Sequence, residues 1–212
     1  MSVEARFDSI HDRKVWVRGA AYLSRRDPRL APIIKKVGYP KLEITRDYYG
    51  SLIVSIVSQQ ISWAAASSIL RRLKKLYNGR LPSPGQYLRT NKRRIMSAGI
   101  SPQKFSYIKD LCERIEDGRL ELRKFQNMPD NLIIEELDEV KGIGRWTAEM
   151  FLMFSLGRAD VFPMDDLGLR KAVQRIYGLR SVPNKKKLAQ ISSKWGPYGT
   201  LASIYLWRSN GD

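Results

Sequence analysis

With 212 residues, 43% of them hydrophobic, the chain is long and apolar enough for one large domain or two small lobes with a real core, which argues against disorder. Its 38 Lys and Arg outnumber 21 Asp and Glu, and the net charge of +17 points to a polyanionic partner, because neutralised phosphates release their counterions. Cys112 is the sole cysteine and His11 the sole histidine, which excludes an internal disulfide and an all-cysteine iron–sulfur cluster and makes a Ser-His-Asp triad or a cysteine- or histidine-rich metal site implausible.

The punctuation is that of a helical protein. Asp47 to Val57 is apolar nearly all round and reads as a buried core helix. Ala64 to Tyr77 places Ile69, Leu70, Leu73 and Leu76 on one side, and Asn78-Gly79 stops it. Ser83-Pro84 and Ser101-Pro102 each read as an N-cap followed by proline at the first helical position. The second opens a helix over Gln103–Asp117 with Ile108, Leu111, Cys112 and Ile115 facing inward. Asp130 is expected to cap a further helix. Arg145–Leu156, closed by Gly157, Asp166–Tyr177, closed by Gly178, Asn184–Trp195 and Gly199–Trp207 complete the set. No run sustains period-2 alternation between turns, so strands should be few and the fold all-α. No stretch is apolar and long enough to span a bilayer, and Met1 to Asp12 lacks a signal-peptide core. A soluble, intracellular protein is expected, cytoplasmic and nucleoid-associated in a prokaryote or nuclear in a eukaryote.

Residues 137–149, Leu-Asp-Glu-Val-Lys-Gly-Ile-Gly-Arg-Trp-Thr-Ala-Glu, are the most informative stretch. Lys141-Gly142-Ile143-Gly144 joins two helices, with glycine where positive φ or close backbone approach is needed. The first N–H groups of the second helix, with those of the glycines, form an anion-binding surface. Further on, Phe162-Pro163-Met164-Asp165-Asp166 opens another helix on a pair of carboxylates.

These segments, with Ser58-Gln59-Gln60-Ile61-Ser62 upstream and Trp195-Gly196-Pro197 through Trp207 downstream, resemble the helix-hairpin-helix DNA glycosylase superfamily. Within it they look like the alkylated-base branch, 3-methyladenine DNA glycosylase II. The resemblance runs from about Tyr39 to the C-terminus. It implies a monofunctional glycosylase that excises alkylated purines by hydrolysing the N-glycosidic bond in base excision repair.

The resemblance also assigns roles. Asp166 aligns with the catalytic aspartate, whose carboxylate would stabilise the oxocarbenium-like deoxyribose and orient or deprotonate the attacking water. Asp165 is read as the helix cap. Trp146 stands where bifunctional members carry the lysine that forms a Schiff base, so no lyase step is expected. Trp146, Met150 and Trp207 match the substrate pocket, where aromatic faces favour a cationic base. Gln60 lies at the wedge position that fills the gap left by an extruded nucleotide. Gln59 is expected to bond nearby backbone. Gly142, Gly144, Arg145 and Thr147 would meet DNA, mostly at phosphate. The carbonyls of Asp138, Val140 and Ile143 would hold a structural Na+ or K+, with no cofactor required. The basic runs Arg71-Arg72, Lys74-Lys75, Lys92-Arg93-Arg94 and Lys185-Lys186-Lys187 read mostly as solvated helix faces.

The expected architecture is a single two-lobed glycosylase domain with a DNA-binding cleft. One lobe spans about 41–157 and contains the hairpin; the other combines about 1–40 with 158–212. The expected partner is double-stranded DNA containing a damaged base, with no membrane partner and a monomeric chain. Two alternatives remain at this stage. A non-catalytic helix-hairpin-helix binding or damage-sensing module would share the charge and the hairpin but have no use for Asp166. A glycosylase for oxidised or mismatched bases is the other, and Trp146 argues against its lyase form.

Overall fold

The computed structural model describes residues 9–10, 12–40 and 45–209, so His11 lies outside the described residues. In chain order the helices are α1 (Arg13–Arg26), α2 (Ala31–Val37), α3 (Tyr48–Ser58), α4 (Trp63–Lys75), α5 (Pro84–Arg89), α6 (Lys92–Met96), α7 (Pro102–Glu116), α8 (Asp130–Asp138), α9 (Arg145–Phe154), α10 (Leu167–Tyr177), α11 (Lys185–Ser192) and α12 (Gly199–Arg208), with a 3-10 turn at Leu122–Asn127. Among the described residues the sole β pairing is an isolated bridge between Ser9 and Arg158, so the fold is all-α as expected. No described helix is long and apolar enough to cross a membrane.

The caps explain where most helices begin. Side chains of Ser62, Ser83, Ser101 and Asn184 accept backbone N–H groups in the first turns of α4, α5, α7 and α11. At α5 the bond is reciprocal, because Gln86 accepts the Ser83 N–H in return. Asp130 does not cap α8, contrary to expectation. Pro129, already extended at φ −60 and ψ 143, takes the N-cap position and Asp130 becomes the first helical residue. α9 and α11 end at Phe154 and Ser192, short of the expected Leu156 and Trp195. The segment before Asp47, where the sequence reading placed no helix, holds α1 and α2. Its buried Val15, Trp16, Gly19, Ala20 and Leu23 recur at helical spacing, a signal the sequence carried between the charged ends Arg13-Lys14 and Arg25-Arg26.

The chain forms two compact units, Thr45–Phe151 and the residues on either side of it, so the division falls within α9 rather than near residue 157. In the first unit α7 packs against α3, α5 and α6. Its Ile108, Leu111 and Cys112 are buried, as the spacing predicts. Burial pushes the Cys112 thiol up to about 12, and the Tyr49 hydroxyl lies 3.3 Å from its sulfur, so it is a protonated packing group.

In the second unit α12 is central. Gly199 to Leu206 are all buried, and the helix packs against α1, α2 and α10. One carboxylate ties this unit together. Asp27, 1% exposed, accepts from the Tyr177 hydroxyl, from Trp195 Nε1 at 2.8 Å and from the Arg29 N–H at 3.2 Å, and pairs with Lys194 at 3.2 Å. Burial alone would raise the Asp27 pKa. Hydrogen bonds from Tyr177, Trp195 and Lys194, with the lysine's charge, outweigh it and hold the carboxyl below its usual range. The four basic runs are exposed on their helices.

Candidate active site and hairpin

α10 starts at Leu167 because Asp166 is extended (φ −67, ψ 115) and its Oδ1 accepts the Leu169 N–H at 2.8 Å. This corrects the expectation that Asp165 is the cap. A capping oxygen must reach the second or third N–H of the helix, and with α10 beginning at Leu167 the residue directly before it does so. Asp165 is exposed and instead pairs with Lys185, 2.7 Å from Nζ to Oδ1. The cap therefore falls on the carboxylate expected to do the chemistry, and not on its neighbour.

The same Oδ1 accepts from Trp207 Nε1 at 3.0 Å. Trp207 is half-buried in the last turn of α12 and its ring stacks on Phe154, with centroids 6.1 Å apart and planes at 29°. Gly168 keeps the pair close: a side-chain carbon there would lie 3.1 Å from Asp166 Oδ1 and 3.6 Å from the indole. Trp207 is thus neither a loose ring nor a core residue. The structure brings it together with Asp166, one face covered by Phe154.

The hairpin lies in the other unit, between α8 and α9. The Lys141 N–H donates to Asp110 Oδ2 at 3.0 Å, and Arg114 bridges Asp110 and Glu139, 3.1 Å from each. Gln59 Nε2 donates to the Gly142 carbonyl at 2.7 Å. The expected Gln59 bond to backbone is present, but its partner is 83 residues away in sequence. The two glycines differ. Gly142 has φ +80, and a side-chain carbon there would enter the Tyr107 ring. Gly144 has no positive φ, and the nearest atom to such a carbon is Asp138 Oδ1 at 4.0 Å. Gly142 therefore has the positive φ, whereas Gly144 leaves the backbone at the start of α9 open to approach.

The first intrahelical bond of α9 runs from the Ala148 N–H to the Gly144 carbonyl, so the N–H groups of Arg145 and Thr147 point out of the helix start. Thr147 is 8% exposed and Ala148 fully buried, so little of the Thr147 side chain is accessible at this helix start. Arg145 is exposed, with Nε 3.0 Å from buried Glu149. Trp146 is 47% exposed in the first turn of α9, and half-buried Met150 follows one turn later. Gln60 is exposed just past α3 at φ +58, a rare conformation for a residue with a side chain.

Residues 53–198 match the family described as HhH-GPD superfamily base excision DNA repair protein. The chain belongs to this superfamily. It is similar to DNA-3-methyladenine glycosylase 1 of Schizosaccharomyces pombe, 32% identical over 194 residues that cover 89% of this chain and 85% of that one. Among solved structures it resembles a DNA-3-methyladenine glycosidase from Bacillus halodurans, 37% identical with a TM-score of 0.84, covering 97% and 93% of the two chains. It also resembles the S. pombe 3-methyladenine DNA glycosylase Mag1 in complex with abasic DNA, 31% identical with a TM-score of 0.81, covering 92% and 97%.

Within this HhH-GPD chain, the sequence reading missed the residues that support the hairpin. These are Tyr107, Asp110 and Arg114, three and four residues apart along α7. That spacing shows they share a face; only the tertiary fold shows what the face holds.

Proposed function

We propose that the protein is a monofunctional DNA glycosylase that removes alkylated purines, of the 3-methyladenine and 7-methylguanine type, from double-stranded DNA as a monomer. The observation that carries this reading is the Asp166 carboxylate, fixed at the start of α10 by the Leu169 N–H and aimed by the Trp207 indole. Cleavage of the N-glycosidic bond leaves positive charge on the deoxyribose. A carboxylate already oriented by two donors stabilises that charge without reorganising and accepts the proton lost by the attacking water. Alkylation makes the base a cation, so the bonding electrons leave with it and neutralise it. No general acid is needed.

The hairpin anchors the duplex through backbone N–H groups, with +17 of net charge behind it. Carbonyls of Asp138, Val140 and Ile143 would hold a Na+ or K+ there. The donor set suits such an ion, since all three ligands are neutral oxygens. The Val140 carbonyl also accepts the Ile143 N–H at 3.0 Å, which leaves it a second lone pair. Among the described residues no cluster of His, Cys, Asp and Glu offers a rival metal site. Held by these carbonyls, such an ion would supply positive charge beside the hairpin's N–H groups.

Trp146 offers an exposed indole and no amine, so the sugar is not opened. The test is duplex DNA carrying one 3-methyl- or 7-methylpurine. Free base should appear while the strand stays whole until alkali is added. A covalent adduct trapped by borohydride overturns the monofunctional reading, and no released base overturns the glycosylase reading.

A further inference from the structure

We propose that α7 is a strut that locks the Gln60 turn to the phosphate-binding hairpin, with Lys104 and Gln59 as positioning residues for nucleotide extrusion. The proposal rests on the reading of Gln60 as the residue that enters the duplex.

The strut starts at Lys104. Its Nζ donates to the Val57 carbonyl at 2.7 Å and to the Gln59 carbonyl at 2.8 Å, at the C-terminal end of α3. A cation at that end also meets the negative pole of the helix. Partial burial lowers the Lys104 pKa, so the ammonium sits among these oxygens rather than in bulk water. The next residue, Gln60, takes φ +58. Strained backbone of this kind persists only where its surroundings over-determine it, and the two Lys104 bonds fix the residues directly before it. Gln59 then reaches the other way, its Nε2 donating to the Gly142 carbonyl.

The same face of α7 grips the hairpin at two further points. The Tyr107 ring fills the space a Gly142 side chain would take, with its hydroxyl held by Gln103 Nε2 at 2.6 Å, and Asp110 accepts the Lys141 N–H. The tip that would enter the base stack and the loop that would hold the phosphate are therefore braced by one helix. A rigid distance between them converts phosphate binding into a push on the stack. Without the brace, phosphate contact and wedge insertion become separate events and the insertion energy is lost in loop motion.

The experiment uses the full chain and a duplex whose target base is 2-aminopurine, which brightens on unstacking. The target is placed either opposite thymine or opposite an abasic analogue. Lys104→Met and Gln59→Ala should bind both duplexes nearly as well as the parent. With the paired target, brightening should fall about tenfold for Lys104→Met, the size expected when a hydrogen bond to a charged group is lost, and about fivefold for Gln59→Ala, which loses a neutral one; with the unpaired target, which needs no push, both losses should be small. Lys104→Arg, which keeps a cationic donor, should retain the response. Equal losses on both duplexes, unchanged brightening in both variants, or no brightening by the parent protein overturns the strut. Brightening needs no base release, so a parent protein that brightens normally but releases no base refutes the glycosylase reading and leaves the strut standing. Should Lys104→Met fail to fold, Gln59→Ala carries the same comparison.

Discussion

Two aspartates in one unit take an indole N–H and come to opposite ends. Asp27 accepts from Trp195 at 2.8 Å and Asp166 from Trp207 at 3.0 Å. Around Asp27 the chain adds a tyrosine hydroxyl, a backbone N–H and a lysine, and exposes 1% of the residue. Asp166 stands half-buried at a helix start, with the cap bond and the indole on one oxygen. The difference teaches that a partner type does not define a carboxylate's work. Enclosure makes Asp27 a fold element, whereas Asp166 is held in place and still reachable from outside the core.

The sharpest way to break this contrast is to make the same change twice. Asp166→Asn should lower single-turnover base release by about a thousandfold, since it removes charge stabilisation in the transition state. Its melting temperature and DNA affinity should barely move, because Asn caps a helix as well as Asp and phosphate contacts are untouched. Asp27→Asn should do the reverse: a loss of about 3 kcal/mol in unfolding free energy, from a broken buried network, with base release by the folded fraction largely kept. If Asp165→Asn is the inactive variant instead, the catalytic assignment is off by one residue.

Acid titration sharpens the same contrast. The folded-state pKa of Asp27 is depressed, so its contribution to stability is present above the unfolded value and lost as pH falls through the folded one. Thermal melts of the parent and of Asp27→Asn should differ by a constant amount near neutrality and converge below about pH 4. A gap that persists in strong acid would show that the network acts by packing and not by charge.

The smallest effect concerns the second indole. Trp207→Phe keeps a ring against Phe154 but deletes the donor to Asp166, so kcat should drop about tenfold on every base with KM little changed. Trp207→Ala should add a further several-fold to about thirtyfold loss on cationic bases beyond that on neutral hypoxanthine, the range of a cation over an indole face. Equal losses for Phe and Ala variants on all substrates would reduce Trp207 to an orienting donor.

Local chemistry made much of this molecule legible in the sequence. Ser62, Ser83, Ser101 and Asn184 announce helix starts because a capping oxygen needs only the next few N–H groups, and Gly142 announces a turn because its φ is open to glycine alone at little cost. The hairpin stood out through its paired glycines, and Asp166 through the resemblance to a family motif. What spacing could not supply was anything joining distant segments. That Asp166 is itself the cap, that Trp207 points its N–H at it, that Gln59 reaches Gly142, and that the outer face of α7 carries the hairpin all depend on helix packing. The reason is physical: caps and turns are settled within a few residues, whereas a side chain on a helix face finds its partner only after the core has set the rotation and height of that helix.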